Sequence, residues 1–167
     1  LGSDADTYAQ GYFVYDSRKS GSRTTSHLRF GPNPIEAPYL VTKAGFIGIH
    51  AWGILESIDV LTMAREGTTV LLNSPYGPDE VWSKLPRTFQ QQVVDKKLDL
   101  WTIDALSVAR EVGLRNRTNT ILQTCFFAIS GVLPKDEAIE RIKDSIQKTY
   151  GKKSQKIVDM NLSLIHI

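Results

Sequence analysis

The sequence predicts an α/β domain on a mostly parallel sheet, and three observations lead there. Short apolar runs at residues 46–50, 69–72 and 98–103 alternate with segments of helical spacing, and strands separated by helices must cross over the sheet to pair in parallel. Apolar residues make up 41% of the chain and charged residues 23%, the balance of a folded globular protein. A length of 167 residues suits one core and falls short of two well-separated domains.

Taken in order, residues 8–15 are rich in aromatic and β-forming side chains and stop at a polar, glycine-containing stretch, so they predict a strand and a loop. Residues 24–30 favour extended chain through Thr24, Thr25, Leu28 and Phe30 until Gly31-Pro32-Asn33-Pro34; this second strand is expected to join the first as a hairpin. The run 46–50 predicts a buried strand, and Ile54, Leu55, Ile58, Leu61 and Met63 follow at near-helical spacing before Gly67. Strand character resumes at 69–72, helices are expected over 79–84 and 88–97, and the apolar run 98–103 reads as another buried strand. Asp104 ends it, and a helix through Val108 stops near Gly113, a residue suited to a left-handed cap. Residues 120–129 are apolar on nearly all sides, predicting a buried helix, whereas 137–150 keep Ile139, Ile142 and Ile146 on one face.

Composition also excludes several classes of function. Twenty Lys and Arg against 18 Asp and Glu leave a net charge of +2, which makes no general case for nucleic acid, so any anion site must be local. One cysteine, Cys125, rules out an intrachain disulfide framework and a cysteine-ligated iron–sulfur cluster held by this chain alone. No apolar run reaches the ~20 residues that span a bilayer, and the opening Leu1-Gly2-Ser3-Asp4 lacks a basic region leading into an apolar one. A cytoplasmic protein with no membrane contact is expected.

Ligands of open parallel sheets sit beyond the carboxyl ends of the strands. Polar groups gather at three such ends: Asp16-Ser17-Arg18-Lys19-Ser20-Gly21, Asn73-Ser74-Pro75-Tyr76, and Asp104 with the later Arg115-Asn116-Arg117-Thr118-Asn119. The first combines two cations, two hydroxyls and a glycine that lets backbone amides approach an anion, a set suited to phosphate. A solvated hairpin turn explains the same residues, and neither formal phosphate-loop pattern is present. The third lies before the 120–129 helix, whose dipole would reinforce anion binding; the alternative is a plain helix cap by Thr118 or Asn119. His27 and His50 are too far apart to define a metal motif and read as core or surface histidines. Cys125 reads as a small core residue.

The segments Tyr8-Ala9-Gln10-Gly11-Tyr12-Phe13-Val14-Tyr15-Asp16-Ser17-Arg18-Lys19-Ser20-Gly21 and Ser26-His27-Leu28-Arg29-Phe30-Gly31 resemble the gamma-type domain of the pyruvate:ferredoxin/flavodoxin oxidoreductase family. Further matches are Leu71-Leu72-Asn73-Ser74-Pro75-Tyr76, Ile103-Asp104-Ala105, Asn116-Arg117-Thr118-Asn119-Thr120, Gln123-Thr124-Cys125-Phe126-Phe127 and Lys148-Thr149-Tyr150-Gly151-Lys152-Lys153. They run in unbroken order from Tyr8 to Asn161. The resemblance implies a Rossmann-like three-layer α/β fold within a large homodimeric cytoplasmic enzyme. That enzyme decarboxylates pyruvate on thiamine diphosphate and Mg2+ and passes electrons through [4Fe-4S] clusters to ferredoxin or flavodoxin, with acetyl-coenzyme A as carbon product.

Thiamine and cluster sites lie elsewhere in such a polypeptide, so this chain alone is expected to hold no cofactor and to carry no catalytic residue. Its partners would be the parent's other domains. The gamma-type domain contributes to coenzyme A binding, and by position Ser17, Arg18, Lys19, Ser20 and Gly21 become the candidates for its phosphates, with Asn116 and Asn119 beside them. Ser22, Arg23 and Arg115 depart from the residues usual at those positions. The amino end departs further: Leu1-Gly2-Ser3-Asp4 runs almost directly into Tyr8, as though the first loop and helix of the fold were missing. Leu162-Ser163-Leu164-Ile165-His166-Ile167 leaves the pattern after Asn161 and is expected to be a non-native tail, so the domain is set at residues 1–161. Two other functions compete: a purely structural interaction domain of the same enzyme, and a stand-alone nucleotide-binding protein.

Overall fold

The structure is a computed structural model that describes residues 7–15, 24–111 and 117–150. The chain divides into two compact units, residues 1–43 and 44–167.

In the first unit, β1 (Tyr8–Tyr15) and β2 (Thr24–Gly31) pair antiparallel, with Tyr8 opposite Gly31 and Tyr15 opposite Thr24. The expected hairpin is therefore present, and it forms a sheet of its own. The segment after it is tied back by polar contacts: Gln10 Nε2 donates to the Ile35 carbonyl at 3.3 Å and Arg29 Nη2 to the Tyr39 carbonyl at 2.6 Å. The Arg29 guanidinium also lies 4.8 Å from the centre of the Tyr39 ring, a cation–π contact.

The second unit holds the parallel sheet, ordered β3 (Ala44–Ile49), β4 (Ala64–Asn73), β5 (Asp99–Ile103). Strand alternation divides its residues between two cores. Val70 and Leu72 of β4 face one side with Leu55, Leu61, α1 (Pro78–Lys84) through Val81, and α2 (Arg87–Asp95) through Phe89 and Val93. Leu71, between them, faces the other side, with Ala105 and Ala109 of α3 (Ala105–Glu111) and Ile121 and Leu122 of α4 (Asn119–Ser130). Helices on both faces of the sheet that the alternation predicted make the three layers that the family resemblance implied. A third cluster joins α4 to α5 (Lys135–Tyr150) through Phe127, Leu133, Ala138 and Ile142.

The helix ends follow their local chemistry. Pro78 sits in the first turn of α1, where its missing N–H is no loss, with Asp79 and Glu80 beside it and Lys84 in the last turn, each on the favourable end of the dipole. Helix α2 ends on Lys97 at φ 49°, with Lys97 N donating to the Val94 carbonyl at 3.1 Å and Leu98 N to the Val93 carbonyl at 2.9 Å. That is the paired hydrogen bonding of a Schellman cap, closed by the buried Leu98 and Val93 side chains. Gly131, at φ 67°, ends α4.

Three expectations change. The near-helical spacing of residues 54–63 yields only a 3-10 helix, Trp52–Glu56. Asp59 Oδ1 accepts from Leu61 N at 3.1 Å and Thr62 Oγ1 donates to the Asp59 carbonyl at 2.8 Å, local bonds that compete with a helix. Gly67 does not precede the next strand but lies inside β4 at φ +72°, where the register against β3 shifts. Buried Thr68 spans that irregularity: its hydroxyl donates to the Ala44 carbonyl at 2.7 Å and accepts from Arg65 N at 3.0 Å. Helix α4 is buried on one side only, since Gln123 and Ala128 are exposed. Gly113 lies outside the described residues, as does the side chain of Ile146.

Candidate functional site

The parallel strands point their carboxyl ends toward His50, Asn73 and Asp104. Asn73, the last residue of β4, uses both ends of its carboxamide: Nδ2 donates to the His50 carbonyl beyond β3 at 3.0 Å, and Oδ1 accepts from Ala105 N at the start of α3, also at 3.0 Å. One half-buried side chain thus joins the exits of two strands to the start of a helix. Next to it, the buried Ser74 hydroxyl accepts from Tyr76 N at 3.0 Å and donates to the Tyr76 carbonyl at 3.1 Å, closing the turn. Tyr76 in turn meets Trp52 edge to face, ring centres 5.0 Å apart, and carries the Lys84 ammonium 5.8 Å above its ring.

Asp104 caps α3. Its Oδ1 accepts from Ser107 N at 3.0 Å and its Oδ2 from the Ser107 hydroxyl at 2.5 Å. The hydroxyl bond first, and the amide bond after it, stabilise the ionised form and hold the carboxyl below the ordinary range. His50 is exposed as a whole residue, yet its imidazole lies over the backbone of Gly48, with Nε2 3.4 Å from where a Cβ would stand there. Desolvation of the ring lowers its pKa, favouring the neutral imidazole.

Asn73, Ser74 and Asp104 are therefore committed to backbone and helix-cap contacts. They build a frame at the strand ends, and no nucleophile–base pair can be assembled from them. Cys125 is half-buried in α4, and desolvation pushes its thiol up, away from the reactive thiolate. A single thiol does not fit a four-thiolate cluster, and among the described residues no group of three or more His, Cys, Asp or Glu comes together. No helix among the described residues is long and apolar enough to cross a membrane.

Of the residues singled out from the sequence, Ser17, Arg18, Lys19, Ser20, Gly21 and Asn116 lie outside the described residues. The strands that flank the first loop are described, and Tyr15 and Thr24 face each other across the ribbon on either side of it. Asn119 opens α4 and is exposed. Thr118, before it, makes no side-chain cap bond, and no acidic residue stands in the first turn. The role of Asn73 was within reach of the sequence, as a polar residue ending an apolar strand. His50, expected as the last residue of the strand 46–50, lies just beyond β3, which ends at Ile49. That its carbonyl meets Asn73 was not legible, since the two are far apart in sequence.

Two solved subunits share this fold. The pyruvate oxidoreductase subunit PORC of Thermotoga maritima aligns with a TM-score of 0.67 at 20% identity, covering 95% of this chain and 76% of that one. The keto/oxoacid ferredoxin oxidoreductase gamma subunit of Geobacter sulfurreducens aligns at 0.56 and 12% identity, over 96% of this chain and 81% of that one. The chain belongs to the pyruvate ferredoxin/flavodoxin oxidoreductase family, which matches residues 2–166. A putative pyruvate-flavodoxin oxidoreductase of Synechocystis is 58% identical over 99% of this chain. The pyruvate:ferredoxin oxidoreductase of Moorella thermoacetica is 47% identical over 99%, and the mitochondrial NADP+ pyruvate dehydrogenase of Euglena gracilis 41% over 99%. The chain spans about 14% of the length of the first two and 9% of the third.

Proposed function

We propose that residues 1–161 are the gamma-type domain of a longer polypeptide that oxidises pyruvate, and that this domain binds coenzyme A and packs against the parent's other domains. The observation that carries the reading is 58% identity across 99% of the chain to a relative of which it makes up 14%. In the parent reaction the coenzyme A sulfur joins the acetyl carbon of pyruvate, CO2 leaves, one proton is released and two electrons pass to the acceptor. Thiamine diphosphate with Mg2+ and the [4Fe-4S] clusters belong to other parts of that polypeptide, a division that the single half-buried thiol of this chain supports. The acceptor is chosen elsewhere too: relatives whose names specify flavodoxin, ferredoxin and NADP+ all keep 41% identity or more in this segment. We take the parent to be a cytoplasmic homodimer.

Within this domain, Ser17, Arg18, Lys19, Ser20 and Gly21 hold the phosphates of coenzyme A, and Asn116 and Asn119 are the further candidates for coenzyme A contact. Two features support the assignment. The loop joins facing ends of the β1–β2 ribbon, and Asn119 opens a helix whose first turn has no competing carboxylate. The test is Arg18→Ala with Lys19→Ala in the complete polypeptide. Removing either cation from a phosphate costs roughly 1.5–3 kcal/mol, about tenfold or more in coenzyme A affinity. The CO2 released in the first turnover is expected to stay unchanged. A folded double variant that binds coenzyme A as tightly as its parent would reduce the loop to a strand connection and favour the purely structural reading, which the fully committed strand-end groups already support.

A further inference from the structure

The β1–β2 ribbon has more apolar surface than a two-stranded sheet can leave in water. Side chains alternate between its faces. Phe13 and Tyr15 of β1 lie on one face with Leu28 of β2, while Tyr8, Tyr12 and Val14 lie on the other. All six are exposed, Phe13 at 56% and Tyr15 at 69%. An aromatic side chain buries 150–250 Å2 when covered, so Phe13 and Tyr15 leave on the order of 250 Å2 open on one face and Tyr8 and Tyr12 somewhat less on the other, with Leu28 and Val14 adding to each. Each face thus approaches the few hundred Å2 that mark an interaction site. Isolated hairpins are marginal in water, and aromatic residues are the ones that interface centres favour. Of the two faces, one carries the Gln10 and Arg29 contacts to the 35–39 segment, yet Tyr12 and Val14 remain exposed there.

We propose that the ribbon is a docking arm, covered on both faces by an apolar surface of the same polypeptide outside this chain. The occupant follows from length: the chain is 14% of the relatives that match it nearly end to end, so most of such a polypeptide lies outside it and is tethered at high local concentration. The inference rests on the reading of this chain as part of a longer protein and adds the surface through which it packs.

Hydrogen exchange read by mass spectrometry, on the complete polypeptide and on the 167-residue chain, tests it. Amides of residues 8–15 and 24–31 are expected to exchange at least about tenfold more slowly in the complete polypeptide. Equal rates in the two samples would overturn the proposal, as would ribbon protection that appears in the chain alone when it dimerises. Should β4 of the isolated chain also exchange freely, Phe13→Glu with Leu28→Glu in the complete polypeptide decides instead. Ribbon amides released while β4 stays protected uphold the arm, and ribbon amides that do not change sink it. A coenzyme A titration on the same wild-type sample separates the two readings: binding without ribbon protection removes only the arm, and protection without binding removes only the coenzyme A site.

Discussion

Two side chains carry local stability that can be measured. Asp104 pairs with both the amide and the hydroxyl of Ser107, so Asp104→Ala is expected to lower stability by about 1 kcal/mol at pH 7 through loss of the helix cap. The pH dependence follows from its depressed pKa. The Asp104 contribution is complete above the unfolded value near ~3.9 and is lost as pH falls through the lower folded value. Urea denaturation of wild type and variant should therefore diverge at neutral pH and converge in strong acid; a gap that persists in acid would assign the loss to packing. Lys97 tests the opposite sign. It holds φ 49° without a glycine, and its ion pair with Glu66 is exposed at both ends. Lys97→Gly should stabilise by about 0.5–1 kcal/mol, as the relief of left-handed strain exceeds the weak surface pair, and an unchanged urea midpoint would refute that.

Elements were legible where spacing and punctuation agreed. Helix α1 covers the expected 79–84 and adds Pro78, and the run 98–103 becomes β5, five of whose residues pair with β4 in register. It is an edge strand with Trp101 exposed, and not the buried strand that its apolar run predicts, because no further strand among the described residues covers it. The 3-10 helix was not legible, because Asp59 and Thr62 spend their polar atoms on nearby backbone, an interaction that hydrophobic spacing does not report. Between elements, Asn73 is the test case. Asn73→Ala leaves Ala105 N and the His50 carbonyl without their partner and is expected to cost roughly 1–3 kcal/mol. Asn73→Asp keeps an acceptor for Ala105 N while removing the donor to His50, so it should recover part of that loss. Equal stability of the Ala and Asp variants would mean that the β4–α3 junction does not depend on this bond.

For the whole molecule, the expectation is that the isolated chain does not oxidise pyruvate even with thiamine diphosphate, coenzyme A and an electron acceptor supplied. One half-buried cysteine cannot ligate a cluster, and the strand-end polar groups are already committed to backbone. Acceptor reduction by the purified chain would overturn this. The sequence by itself determined the α/β class, the hairpin, the order of the elements and the family resemblance, because each rests on neighbours within one strand or helix or on residue order. Tertiary structure alone decided that Leu71 serves a different core from Val70 and Leu72. It also decided that the hairpin forms its own sheet and that the Asn73 carboxamide joins two strand exits to a helix. Those outcomes depend on which distant segments meet, and a hydrogen bond between residues 32 positions apart leaves no trace in local periodicity.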